Sequence, residues 1–261
     1  MLELNLSDRM KRYELVNKRY LSIRTPVIAR VNGRAFHSLT CGFDRPFDQN
    51  IIQAMKFAAL KTAEQMQGFK ACYIQSDKAS FLLTDYDELH TQSWFGYELN
   101  KVVSISASAM TVYFNYWMDN FYWSRDDFTK DDFTKESLGH KRAMFDSRAF
   151  NLPREEVTNY FVSRAKDWSR NSIQMFARSI FSYSELRGKK IPDMHEMLHV
   201  KGKNWTTDLT DREKNGTFLV LLNGKIEEMC NILPNFDSIN QILGTFVEEP
   251  RGDKEKANEE K

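Results

Sequence analysis

The chain has 261 residues, with 37 Lys+Arg against 36 Asp+Glu and a formal net charge of +1. Apolar residues make up 41% and aromatics 13%, which excludes a disordered chain and supplies one large core or two small ones. Three cysteines, Cys41, Cys72 and Cys230, stand far apart, which excludes a disulfide scaffold and a cysteine-based zinc module.

No apolar run approaches the ~18 residues a membrane span needs. The opening Met1-Leu2-Glu3-Leu4-Asn5 lacks a basic stretch followed by an apolar one, so no signal peptide is expected and a cytoplasmic setting is. With charge so balanced, any phosphate-binding surface must come from local clustering. One such cluster is the first segment, where Arg9, Lys11, Arg12, Lys18, Arg19 and Arg24 are interleaved with Tyr13 and Tyr20. That pattern suits an RNA backbone or simply a solvated amphipathic helix.

Pro26 admits a short β-rich run, Val27-Ile28-Ala29-Arg30-Val31, which reads as a buried strand stopping at the turn Asn32-Gly33. Asp48 is a candidate N-cap, and Ile51, Ile52, Met55, Ala58, Ala59, Ala63 and Met66 recur at helical spacing, so a helix is expected at 49–67, closed by Gly68. The runs 69–74 and 80–84 read as a hairpin joined by Gln75-Ser76-Asp77-Lys78-Ala79. An apolar-periodic stretch from Trp94 to Tyr116 predicts a second long helix, and residues 143–150 a fourth strand. The order strand, helix, strand, strand, helix, strand is the split-βαβ pattern of a ferredoxin-like α+β fold.

Between that helix and strand, Asp126-Asp127-Phe128-Thr129-Lys130 is followed at once by Asp131-Asp132-Phe133-Thr134-Lys135. The repeat is too short for a solenoid and reads as a duplication in an exposed, solvated loop. Pro153 opens a helix expected to run to about Phe181. Residues 182–230 mix short elements, and the charged tail lacks apolar anchors and should be disordered. The expected organisation is a palm-like core with its N-terminal helix at 1–150, a helical and mixed portion of the same unit at 151–245, and a tail at 246–261.

This topology makes two distant segments neighbours. Asn32-Gly33-Arg34-Ala35-Phe36-His37 ends the first strand, and Ser76-Asp77-Lys78 forms the hairpin turn beside it. Gly33 would let backbone approach a ligand closely. Arg34, His37 and Lys78 bring positive charge for phosphates. Such a layout suits nucleotidyl transfer at a palm, where carboxylates on adjacent strands hold two Mg²⁺ ions over a triphosphate. Taken singly the segments are also ordinary turn residues, so two turns without a ligand is the competing reading.

Here the residues carry a resemblance. Arg30-Val31-Asn32-Gly33-Arg34-Ala35-Phe36-His37 resembles the Arg-x-Asp-Gly-Arg-x-Phe-His signature of the tRNA-His guanylyltransferase family. Gln75-Ser76-Asp77-Lys78-Ala79-Ser80-Phe81 resembles its Gln-Ser-Asp-Glu-x-Ser-Phe. Arg45-Pro46-Phe47-Asp48 is similar too. Met144-Phe145-Asp146-Ser147-Arg148, Asn171-Ser172-Ile173-Gln174-Met175 and Met194-His195-Glu196-Met197-Leu198-His199 resemble most the family's bacterial and phage-type branch.

The resemblance implies a polymerase-like palm that extends tRNA at its 5′ end in the 3′-to-5′ direction, with ATP and GTP as substrates and Mg²⁺ as cofactor. It implies Asp77 and Asn32 as catalytic positions, with Gly33 beside them at the metal. Arg34, Ala35, Phe36, His37 and Ser76 would contact nucleotide, and Arg45, Lys78 and Lys101 its phosphates. Asn171, Lys201 and Asn204 would touch RNA, and the chain would form a homotetramer. Two departures stand out: the family's first metal carboxylate falls at Asn32 and its following acid at Lys78. Where the guanylyltransferase proper has His-Ile-Asn-Asn, this chain has Ser169-Arg170-Asn171-Ser172, which favours the 5′-end repair branch over strict tRNA-His specificity.

Two further function classes compete. His195-Glu196-Met197-Leu198-His199 fits the H-E-x-x-H zinc hydrolase motif, on a short helix with only Asp208 and Asp211 as nearby third donors. A non-catalytic tRNA-binding homologue would need only phosphate contacts and stacking, for which Arg187, Lys189, Lys190, Lys201, Lys203 and Trp205 are candidates.

Overall fold

The computed structural model describes residues 5–88, 90–122 and 142–247. The duplicated segment at 126–135, His140 and the tail from 248 lie outside the described residues. After helix α1 (Leu6–Leu15) come strand β1 (Val27–Gly33), the single turn α2 (Phe36–Leu39) and α3 (Gln49–Ala63). The hairpin β2 (Phe69–Gln75) and β3 (Lys78–Leu83) follows, then α4 (Leu99–Trp117), β4 (Phe145–Asn151) and α5 (Arg154–Arg178). Short helices α6 (Tyr183–Leu186), α7 (Ile191–Val200), α8 (Trp205–Asp208) and α9 (Asp211–Asn215) lead into β5 (Thr217–Leu222), β6 (Lys225–Met229) and α10 (Phe236–Val247).

The six strands form one antiparallel sheet in the order β4-β1-β3-β2-β5-β6. β1 to β3 are central and covered on both faces, which is why they read as nearly continuous apolar runs rather than alternating ones. On one face Val27, Ala29, Val31, Phe81 and Leu83 pack against Ala54, Met55 and Ala58 of α3 and Val102, Met110 and Phe114 of α4. On the other Ile28, Tyr73, Leu82 and Val220 pack against Val157 and Phe161 of α5 and Ile239 and Leu243 of α10. The far half of α5 runs on past the sheet, where Ile173, Phe176 and Ala177 join Leu186, Met194, Leu198 and Leu209 in a small helical core.

Several boundaries differ from the sequence expectation. The α3 helix ends at Ala63, where tight turns take over: the Gln65 N–H donates to the Thr62 carbonyl at 3.1 Å and the Met66 N–H to the Ala63 carbonyl at 3.0 Å, and farther on the Thr84 N–H donates to the Gly68 carbonyl at 2.9 Å. Gly68 is required there: a Cβ would meet the Thr84 carbonyl oxygen at 2.1 Å. The hairpin strands extend to Gln75 and from Lys78, leaving only Ser76 and Asp77 as the turn. The α5 helix stops at Arg178 rather than near Phe181. In the mixed portion after it, β5 pairs with β2, so 217–222 belongs to the same sheet as the core.

Candidate functional site

The site begins with a junction. The Gly33 N–H donates to the Asp77 carbonyl at 2.8 Å, and the Arg34 N–H donates to the Met144 carbonyl at 2.8 Å. Three chain segments therefore meet where β1 ends. Ladder register carries this into a row of side chains across four strands: Gln75 opposite Lys78, Lys78 opposite Asn32, and Asn32 opposite Asp146. Opposed residues in a ladder project from the same face. Alternation along β1 puts Asn32 on the face of Ile28, the side that α5 covers farther along the strand.

What turns the chain at this point is Phe36. Its ring lies 5.4 Å from that of Phe114 on α4 and 5.3 Å from that of Phe145 on β4. The ring folds back beneath the strand end so tightly that a Cβ on residue 33 would sit 2.2 Å from its Cδ2. Ala35 takes a left-handed conformation, φ 52°, to make the turn. Arg34 and His37 are thereby left exposed on the outside. Ser76 is also left-handed, φ 50°, at the tip of the hairpin.

Charge at the junction is nearly cancelled. The Lys78 ammonium lies 2.8 Å from Asp77 Oδ1. The Asn32 carboxamide Nδ2 donates to the Gly33 carbonyl at 3.3 Å. Asn32, Gly33 and Asp77 thus offer oxygen donors of the kind a hard cation takes, but only one carboxylate, and that one is ion-paired.

Beside the junction is a cavity of about 420 Å³. The sequence-predicted residues Phe36, His37, Arg45, Ser76 and Asp77 line it, joined by Lys56 of α3, Trp168 and Arg178 of α5 and Arg212 of α9. Asp48 holds its floor, accepting from the Asn50 and Ile51 amides at 2.8 and 3.2 Å and from the Asp44 amide at 3.2 Å. Glu228 on β6 contacts Lys56 at 3.1 Å and also pairs with Arg212, tying two wall cations together. Gln75, Trp168 and Arg212 each contribute to this wall and each carries a buried polar atom (Oε1, Nε1 and Nε) without a partner.

The structure does not bring every expected residue here. Lys101 sits in the first turn of α4, 3.4 Å from Glu98. It precedes Phe114, the α4 residue that touches Phe36, by a helical distance of about 20 Å. Asn171, Lys201 and Asn204 are exposed in the helical portion. Asn204 caps α8, accepting from the Thr206 amide at 2.9 Å. In the H-E-x-x-H stretch on α7, the His195 ring packs edge-on to Trp205 at 5.9 Å and His199 is exposed. No group of three or more His, Cys, Asp or Glu suited to a metal occurs among the described residues.

The wall residues Lys56, Trp168, Arg178 and Arg212 went unread in the sequence. Nothing in the local pattern links Trp168 to position 37. Arg212 reaches the wall because β5 pairs with β2, a pairing with no local signal.

An antiparallel sheet with strand-end motifs and a polar cavity beside them suits a nucleotidyltransferase, and the comparisons with known proteins give that class. The family model described as tRNA-His guanylyltransferase matches residues 7–153. The chain belongs to that family, whose members are nucleotidyltransferases. A bacterial tRNA(His) guanylyltransferase (Thg1)-like protein in complex with ATP is 35% identical, with a TM-score of 0.82 over 94% of this chain and 100% of that one. A bacterial Thg1-like protein in complex with GTP is 32% identical, with a TM-score of 0.74 over the same shares, 94% and 100%. The tRNA(His) guanylyltransferase of Saccharomyces cerevisiae, 17% identical over 87% of this chain and 97% of that one, shares the fold with a TM-score of 0.67. An uncharacterized protein, R259, of Acanthamoeba polyphaga mimivirus is 26% identical over 194 residues, 70% of this chain and 65% of that protein's length.

Proposed function

We propose that the chain is a tRNA 5′-end nucleotidyltransferase working in the 3′-to-5′ direction, with ATP and GTP as substrates and 5′-truncated tRNA as acceptor. The observation that carries this reading is the junction of Gly33 with Asp77, 2.8 Å apart through their backbones, at the mouth of a cavity of about 420 Å³ walled by Arg45, Lys56 and Arg212. A nucleoside triphosphate needs a cleft of this size and cations for its phosphates. The two bacterial relatives whose structures hold ATP and GTP support the same substrates here. We read β1 to β4, with α3 and α4 on one face, as a ferredoxin-like palm, and residues 151–245 as the portion that completes it.

In this reading Asp77, Asn32 and Gly33 surround Mg²⁺, which when bound would offset the negative charge of the phosphates. Arg34, Ala35, Phe36, His37 and Ser76 contact nucleotide, and Arg45 and Lys78 its phosphates. Lys101, given its place at the start of α4, would serve only through another subunit of the tetramer that the family resemblance implies. Asn171, Lys201 and Asn204 belong to an RNA face. A cytoplasmic setting fits three free cysteines. No described helix is long and apolar enough to cross a membrane.

One observation favours a second reading. With Asp77 ion-paired to Lys78 at 2.8 Å and Asn32 uncharged, the junction suits a tRNA-binding homologue that does not turn over. A single assay separates the two: labelled 5′-truncated tRNA incubated with ATP, GTP and Mg²⁺. Lengthening of the 5′ end is expected. Salt-sensitive tRNA binding with no lengthened product would overturn the catalytic reading.

A further inference from the structure

Asp146 is the ladder partner of Asn32 on β4. Partners of this kind stand with Cβ atoms about 4.5–5.5 Å apart on one face of the sheet. Neighbouring residues fix which face. The Ser147 hydroxyl accepts from Ser106 of α4 at 2.8 Å, and Ala149 packs into the α3–α4 core. Asp146 therefore projects to the opposite side, with Asn32 and Lys78. Its carboxylate is 57% exposed, and the cation paired with it, Arg148, lies 3.9 Å away, too far for a hydrogen bond. Asp77, by contrast, is in 2.8 Å contact with Lys78. In the row Gln75, Lys78, Asn32, Asp146, the negative charge stands on the one strand from which the sequence motifs had not asked for it.

We propose that Asp146 is a metal ligand of the nucleotidyl-transfer site, supplying from β4 the charge that Asn32 does not supply from β1. This rests on the function proposed above and assigns a donor to the same site. Mg²⁺ in phosphate-handling sites is bound through one or two carboxylates together with the substrate's phosphates and water. Asp77 alone, neutralised by Lys78, leaves such an ion short of charge. Asp146 stands one strand over from Asn32, on the same face, with no close ion pair to break. An edge-strand position also leaves it free to turn toward the junction without disturbing the ladder.

The test is the gain in GTP affinity that Mn²⁺ confers on the full chain, measured for the parent, Asp146→Asn, Asn32→Asp and the double variant. The parent is expected to bind GTP more tightly with Mn²⁺ than with EDTA. Asp146→Asn should lose at least about tenfold of that gain, a 1.4 kcal/mol change. Asn32→Asp in the Asp146→Asn background should restore it, which a merely structural Asp146 would not allow. Melting curves guard against misfolding, and the exposed, isosteric change should leave them unmoved. The inference is overturned if Asp146→Asn keeps the full gain, if the double variant fails to recover it, or if the parent shows no gain. Nucleotide addition by the parent is scored separately. A parent that loses its Mn²⁺ gain through Asp146→Asn yet never extends tRNA would uphold this ligand and end the catalytic reading.

Discussion

Gly33 and Asp77, from opposite sides of the first long helix in the sequence, are joined by a 2.8 Å hydrogen bond from the glycine amide to the aspartate carbonyl. This bond continues the β1–β3 ladder by one step beyond the Asn32–Lys78 pair. It fixes where the first motif stands against the hairpin tip, and it leaves the Gly33 carbonyl to the Asn32 carboxamide.

Gly33→Ala tests how tightly this junction is made. The added Cβ would lie 2.2 Å from the Phe36 ring, which is itself wedged between Phe114 and Phe145. The ring has no room to retreat, so overpacking should destabilise the fold by about 1–3 kcal/mol. Urea denaturation would show it as a lower midpoint with an unchanged slope. An unaltered midpoint would mean that Phe36 can leave its slot.

Asn32→Asp adds a carboxylate at the metal site proposed above. At about 4 Å and an effective dielectric near 20, one added negative charge beside a doubly charged ion is worth roughly 8 kcal/mol before desolvation. Even a sixth of that raises nucleotide addition at limiting Mg²⁺ about tenfold. Titrating Mg²⁺ in the tRNA extension assay checks it, and the half-saturating concentration should fall. No shift would place Asn32 away from the metal.

Gln75→Leu separates stability from binding. The Gln75 side chain is 4% exposed and its Oε1 has no partner, so the amide is held at a cost of about 1–3 kcal/mol. Leucine of similar volume removes that penalty, and the melting temperature should hold or rise. Gln75 also lines the cavity, so nucleotide affinity should fall several-fold. Calorimetry of melting and of GTP binding on the same variant should therefore move in opposite directions. A drop in both would make Gln75 a packing residue.

How much of this was legible in the sequence depended on the range of the interaction that fixes each feature. The α3 helix and the hairpin follow from patterns within a few residues, such as the Asp48 cap and the apolar spacing after it. The pairing of β1 with β3 was readable because the order of elements up to β4 admits few topologies. The β5 and β6 strands, and with them Arg212 at the cavity, were not, since residues 217–222 are placed by pairing with β2 far away in the chain. The motifs that hold Asn32 and Asp77 were legible in the sequence, and the β1–β3 register brings them together. That Asp146 faces Asn32 was not legible, because cross-strand register cannot be read from one strand alone.

Glu228 joins stability to pH. Burial alone pushes its carboxyl up, but the hydrogen bond from the Cys230 thiol, the Lys56 ammonium and the Arg212 guanidinium outweigh burial and hold it below the ordinary carboxylate range. A carboxyl depressed by folding contributes stability that is present above its unfolded value, near pH 4.3, and is lost as pH falls through the lower folded value. Glu228→Gln should therefore cost about 1 kcal/mol at neutral pH. The gap between parent and variant melting temperatures should narrow steadily as pH drops below about 4. Because Lys56 and Arg212 both line the cavity, the same variant frees two wall cations, and triphosphate affinity should change while the hairpin site stays intact. A melting gap that stays constant from pH 7 down to 3 would show that Glu228 is held by packing rather than by its charge.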